Sequence, residues 1–231
     1  MKLIGRDKIL EREIAPRTQK RTPFVLVGQR GIGKSMILEW AYEEYKKNKI
    51  YLKITNTYSH NLREIAKAQG IEGYSKKKNT DLEIEIIKGI EIAVFIDNIE
   101  RATPKLITFL TSVNEIWKIY MAGVEPFREE LTRLMWGKKK IKIIAIEKKY
   151  RTKLAEEVIS NTGSIINRNI IAVESRGVPA RAWALARGEV PRDDAERVAG
   201  EEINIAPVLL IAVVGVVVLR YIGMGMGEKD L

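Results

Sequence analysis

The chain is 231 residues long, with 40 Lys plus Arg against 30 Asp plus Glu, one His and no Cys. The missing Cys excludes disulfide scaffolds, zinc–thiolate sites and thiol catalysis, and a lone His excludes a His-rich metal centre. A 45% hydrophobic share excludes wholesale disorder, and the net charge of +10 is left to nucleic acid, an anionic membrane, bound phosphates or solubility alone.

Residues 1–10 do not read as a signal peptide, because Arg6, Asp7 and Lys8 break the apolar run. Pro23–Val27 reads as a short buried strand and Ser35–Lys47 as a helix. Ile50–Ile54 is a second strand, and Asn61–Gln69 a helix. A Lys-bearing loop, 70–80, precedes a helix over 81–89 with Asp81 as its cap. Ile92–Ile96 is a third strand, and Thr103 caps a helix opening at Pro104. Trp117–Met121 and Ile141–Ile146 are the fourth and fifth strands, with a helix over 125–135 between them. Helices follow at 151–160, 179–186 and 193–198. Strands alternating with helices predict an α/β layer fold with a mostly parallel five-stranded sheet, then a small helical lid. The organisation expected is a core over 1–147, a lid over 148–204, a membrane segment over 205–223 and a short tail over 224–231. Trp40, Trp117, Trp136 and Trp183 read as packing residues.

Gly28-Gln29-Arg30-Gly31-Ile32-Gly33-Lys34-Ser35 matches G-x-x-x-x-G-K-[ST] in full, directly after a strand and before a helix. The glycines let backbone N–H groups wrap a phosphate, and the helix N-terminus adds partial positive charge. Lys34 is placed to reach the β- and γ-phosphates, and the Ser35 hydroxyl to bind Mg2+. Ile92 to Asp97 is an apolar strand ending in an acid, so Asp97 is the second Mg2+ candidate.

These motifs resemble those of AAA+ and related additional-strand P-loop ATPases, especially archaeal and archaeal-virus replication-initiator-like ones. The start, Leu3 to Glu11, resembles the "GRE-x-E-L" box, which implies that Gly5 and Arg6 help form the adenine pocket. Gly177 to Ala182 resembles the sensor 2 motif, which implies that Arg181 reaches the γ-phosphate. Hydrolysing members usually carry an acid just after the Walker B Asp. Here that position is Asn98, whose amide orients water but cannot take its proton, and Glu100 is the candidate substitute. The fourth strand ends without the usual polar sensor. An arginine finger, supplied between subunits of a homo-oligomer, is expected from Arg133 or Arg128. The resemblance implies an ATP- and Mg2+-binding switch or motor, with Lys34, Asp97, Glu100 and Arg181 as its catalytic set. The alternatives are a DNA-associated ATPase and a nucleotide-binding scaffold without fast hydrolysis.

Ile205 to Leu219 holds no charged residue, and Ile205–Gly227 is long enough to span a bilayer with Arg220 snorkelling. This predicts a single-pass membrane protein with its ATPase part in the cytosol. The tail from 205 to 231 is net neutral, so the basic excess lies before it. Residues 138–153 are net +7 and form the candidate nucleic-acid contact.

Overall fold

The computed structural model describes residues 3–54 and 57–189. They belong to one compact unit, Met1–Arg192. The expected membrane segment 205–223, the tail 224–231 and the helix at 193–198 lie outside the described residues. Among the described residues no helix is long and apolar enough to cross a membrane.

Five strands form one sheet: β1 Phe24–Val27, β2 Lys49–Lys53, β3 Ala93–Asp97, β4 Lys118–Gly123 and β5 Lys139–Lys142. Their order is β2-β3-β4-β1-β5, and every pairing is parallel. Parallel neighbours need crossover connections, and helices supply them. Helix α3 (Lys34–Glu44) joins β1 to β2, while α4 (Tyr58–Ala68) and α5 (Asn79–Lys88) join β2 to β3. Helix α6 (Pro104–Ser112) joins β3 to β4, and α7 (Glu129–Leu134) joins β4 to β5. Before the sheet come α1 (Asp7–Ile9), a π turn over Leu10–Ile14 and α2 (Ala15–Gln19).

Both faces of the sheet are covered, which is why β1 and β3 are buried along their whole length and read as unbroken apolar runs. Strand alternation splits the core. Val25 and Val27 face a cluster with Leu62, Leu82, Leu106 and Leu131 from α4 to α7. Phe24 and Leu26 face the other, with Ile14, Ile37 and Leu38. A third cluster is built on α8 (Lys148–Thr162), α9 (Arg168–Glu174) and α10 (Pro179–Ala186), and takes in Ile4 and Ile146. These three helices are the lid.

Several boundaries move for local reasons. Helix α4 starts at Tyr58 because Thr57 Oγ1 accepts the His60 N–H at 3.4 Å. Helix α5 starts at Asn79, so Asp81 is not its cap but an acid in its first turn, where the helix dipole favours it. Helix α7 begins only at Glu129, beyond Pro126, which biases the residue before it towards extended backbone. Strand β5 lies at 139–142 rather than 141–146, because among the described residues it pairs only with the four-residue β1. Trp117 is buried in the core, but Trp136 is 86% exposed and is not the packing residue expected.

Candidate functional site

The phosphate loop runs from the end of β1 into α3, with Gly33 in a left-handed conformation as the N-cap. The first N–H groups of α3 therefore have no partner further back in the helix, the usual setting for an anion. Glycine is needed at two places for space. A Cβ on Gly28 would lie 2.5 Å from the Ile143 carbonyl oxygen, and one on Gly31 would lie 2.4 Å from Ala180 Cβ. Ile32 is buried in the core, so only its backbone faces the loop; Gln29 and Arg30 are exposed.

The Lys34 side chain is buried within the loop. Its Nζ donates to the Gly28 carbonyl at 2.8 Å and the Gln29 carbonyl at 2.9 Å, closing the loop into a ring. Burial lowers its pKa; Glu100 and then Asp97 oppose that, while Arg30 adds to it. Those influences bring one loop Lys and two acids to one place. Asp97 ends β3 and is 3% exposed. Ser35 is half-buried in the first turn of α3.

Asn98 has φ 58°, a left-handed conformation that Asn tolerates, and its Nδ2 lies 3.5 Å from Asp97 Oδ2. That turn starts a 3-10 helix over Ile99–Arg101 and aims Glu100 at the end of β4. Glu100 Oε2 accepts the Val124 N–H at 3.2 Å. A Cβ on Gly123 would sit 3.0 Å from that same oxygen. Gly123 is in register with Val27, one residue before the phosphate loop. The carboxylate thus stands at the strand end where the sequence offered no polar side chain.

The lid touches the loop directly. Ala180 N–H donates to the Gly31 carbonyl at 3.1 Å, so the first turn of α10 sits on the phosphate loop. Arg181 is the next residue and is partly buried. The Ile146 N–H donates to the Gly177 carbonyl at 2.8 Å, tying the lid to the segment after β5.

The N-terminal box meets the same region. The Arg6 guanidinium is 6% exposed and donates to the Ile32 carbonyl at 2.8 Å and the Ile144 carbonyl at 2.7 Å. Its side chain is spent on bracing the phosphate loop against the chain after β5. Gly5, at φ 66°, lies flat against Tyr150 of α8. A cavity of about 330 Å³ opens there, lined in part by Leu3, Gly5, Leu10, Trp40, Tyr150 and Lys153. Trp40 and Tyr150 were not legible as site residues, because nothing in their local sequence signals that α3 and α8 meet at the N-terminal box.

The finger candidates differ from each other. Arg133 is exposed and pairs with Glu129 at 2.8 Å, whereas Arg128 donates to the Ala102 carbonyl of its own core. The basic run 138–153 does not form one surface. Lys138 turns in to Asn114 Oδ1 and the Leu134 carbonyl, Lys139 pairs with Glu13, Lys140 with Glu125, and Lys149 with Glu147.

The donor set fits phosphate and Mg2+. The glycine cradle admits a phosphate where a Cβ would not fit. No group of three or more His, Cys, Asp or Glu side chains is gathered for a metal among the described residues. One hydroxyl and one carboxylate suit Mg2+, which keeps waters and takes phosphate oxygens rather than an all-protein cage.

No family model matches the chain, and no curated protein matches it. Solved structures do match. RuvB of Thermotoga maritima, a Holliday junction branch migration motor, is similar with a TM-score of 0.54 and 19% identity, over 91% of this chain and 70% of that one. A point mutant of the same motor matches at 0.54 and 16%, over 80% of this chain and 61% of that one, so the chain spans under two thirds of that relative. NtrX from Brucella abortus, solved in complex with ATP, matches at 0.55 and 13%, over 84% and 55%. Both neighbours are AAA+ P-loop ATPases. The chain has the AAA+ fold. In it Gly28–Ser35 follows β1, Asp97 ends β3, and β4 lies between β1 and β3 in the sheet.

Proposed function

We propose that this chain is an ATP-binding AAA+ ATPase that works as a nucleotide-dependent switch or motor. One observation supports this above the rest. A complete phosphate loop, the buried Asp97 and the Glu100 carboxylate converge on Lys34, at the loop end of a β2-β3-β4-β1-β5 sheet. The triphosphate would lie along Gly28–Ser35, with Mg2+ held by Ser35 and Asp97 and by the phosphates themselves. The base would enter the cavity between Gly5, Trp40 and Tyr150, whose aromatic walls suit a flat ring.

Glu100 would take a proton from an attacking water, which Asn98 cannot do. Arg181 follows the residue that touches Gly31 and would report the γ-phosphate through the lid. Arg133, exposed on α7, is the better finger for a neighbouring copy, because Arg128 is bound to its own core.

The experiment is steady-state ATP turnover by the full chain, the Lys34→Ala variant and the Glu100→Gln variant. Turnover in the wild type that falls to background in both variants supports the enzyme. ATP binding without turnover in the wild type favours a second reading, a nucleotide-dependent scaffold, for which Asn98 at the usual acid position is the specific observation.

The finer readings stand as proposals alongside. The run 205–223 would anchor the chain in a membrane with the ATPase part on the cytosolic side, and alkaline extraction of membranes tests it. The likeness to archaeal and viral initiator-type ATPases rests on the N-terminal box, the phosphate loop, the strand ending at Asp97 and the Gly177–Ala182 match. The likeness to RuvB, a branch migration motor, supports DNA as the substrate acted on, with the exposed lysines of 138–153 as its candidate contacts, tested by salt-dependent binding.

A further inference from the structure

Arg6 and Lys34 are the buried cations among the described residues, and they are compensated differently. Lys34 has two acids, Glu100 and Asp97, whose charge favours its ammonium. Arg6 has no such acid. Among the described residues its guanidinium makes no ion pair. Burial lowers its pKa, and no carboxylate opposes that. A buried charge without a counter-charge is strongly destabilising, because its hydration is lost and no attraction replaces it.

The two hydrogen bonds that Arg6 makes do not explain why the group is charged. Both go to neutral carbonyls, those of Ile32 and Ile144. A neutral amide side chain also donates to a carbonyl, without the cost of desolvating an ion. The brace accounts for the donors and leaves the charge over.

The position of one of those bonds supplies a use for it. The Ile32 carbonyl and the Gly33 N–H belong to one trans peptide unit, so they point to opposite sides. With the oxygen held by Arg6, the N–H is turned away from the guanidinium. Among the described residues that N–H makes no backbone hydrogen bond, and Gly33 is the N-cap of α3, where an anion is favoured. A cation on the oxygen end polarises the same peptide and strengthens its donor. The guanidinium is buried, so its attraction for a bound anion is screened less than that of a surface charge.

We propose that Arg6 is a fixed counter-charge for the bound nucleotide's phosphates, acting through the Ile32–Gly33 peptide without touching them. The inference rests on the nucleotide-binding reading above and gives Arg6, a positioning residue, a part in holding phosphate. Without nucleotide its charge is uncompensated, and the arriving phosphates supply the missing partner. The charge therefore weakens the empty protein and strengthens binding, whereas a purely mechanical brace would strengthen both.

The test is calorimetric titration of the full chain with ADP·Mg2+, on the wild type, Arg6→Gln and Arg6→Lys, beside the urea midpoint of each protein without nucleotide. Gln keeps an amide donor for the carbonyls and drops the charge, whereas Lys keeps the charge. The expected result is a crossing. Arg6→Gln is the more stable of the two variants when empty, yet binds ADP·Mg2+ about tenfold or more weaker than the wild type. Arg6→Lys has the lower midpoint, yet binds within about threefold of the wild type. Affinities that follow the midpoints, so that the more stable variant binds better, would overturn the proposal in favour of a brace. So would an Arg6→Gln affinity equal to that of the wild type. If Arg6→Gln does not fold, Arg6→Lys decides alone: retention within about threefold supports the counter-charge, and a loss of about tenfold overturns it. A wild type with no saturable ADP·Mg2+ binding removes the nucleotide reading and this inference together, whereas a wild type that binds and shows no crossing removes this inference alone.

Discussion

Two stretches of this chain invited a phosphate reading, and they behave differently once folded. Residues 28–35 converge: the loop backbone closes around Lys34, which sits buried and bonded to the Gly28 and Gln29 carbonyls. Residues 138–153, net +7, disperse. Lys138 turns in to Asn114 and Leu134, Lys139 and Lys140 lie on an edge strand, and Lys149 and Arg151 belong to the lid helix. A motif defined by backbone shape survives folding, because the shape is local. A motif defined by summed charge does not, because each element aims its side chains by its own period.

The largest expected effect tests the converging stretch. Lys34→Ala should lower ATP turnover by about 100-fold or more, the usual cost of losing a preorganised charge in a site. The same variant should also melt lower by a few degrees, because it leaves the Gly28 and Gln29 carbonyls without their donor, an effect that relief of the buried charge offsets only in part. A melting point several degrees lower, with turnover retained, would show that Lys34 only staples the loop.

Next come two glycines with left-handed or near-limit φ and opposite surroundings. Gly28→Ala puts a methyl against the Ile143 carbonyl and should cost about 3 kcal/mol, with loss of nucleotide binding. Gly137, at φ 73°, has open space around it, so Gly137→Ala should cost only the backbone term, about 1 kcal/mol. Equal denaturation midpoints for the two would refute the close approach at Gly28. Arg6→Leu should fall close behind. It removes two charge-assisted hydrogen bonds and leaves the Ile32 and Ile144 carbonyls without them, at about 3 kcal/mol.

The same contrast explains what the sequence could show. All eight residues of the phosphate loop were legible, since their spacing is a local steric requirement. So were β1 and β3, as apolar runs buried on both faces. Strand β5 was shifted, because its length is set by β1 across the sheet and not by its own run of Ile. The apolar residues beyond it have other uses: Ile143 presents the carbonyl that Gly28 passes, and Ile146 joins the lid. Arg6 was legible as part of a box, but its contacts lie 26 and 138 residues away in the chain. Trp136 followed the rule that large aromatic residues pack, and the short turn before β5 instead leaves it in solvent.

Within the dispersed stretch, Lys138 should behave unlike its neighbours. Burial pushes its ammonium down to about 8, from the ordinary 10.5 that the unfolded chain keeps. Between those values the unfolded chain binds more protons, so the Lys138 contribution makes stability rise with pH across that window. Below about pH 8 the folded chain carries the full cost of the buried charge. The melting temperature of the wild type relative to Lys138→Met should therefore climb from about pH 8 to about pH 10. Parallel curves would show that the side chain escapes to water.

The smallest effect belongs to the exposed members. Lys139 and Lys140 lie 3.6 Å from Glu13 and Glu125 in pairs that are open to solvent. Such pairs contribute about 0–1 kcal/mol each, so Lys139→Gln, Lys142→Gln and Lys148→Gln together should move stability by about 1 kcal/mol or less and leave turnover unchanged. If DNA does run along this stretch, the triple variant should still flatten the salt dependence of binding, by about 2–3 in log–log slope for three lost phosphate contacts. An unaltered slope would place any DNA elsewhere on the molecule. The charge of 138–153 would then serve only to keep an edge strand and a lid helix soluble, which their separate partners already suggest.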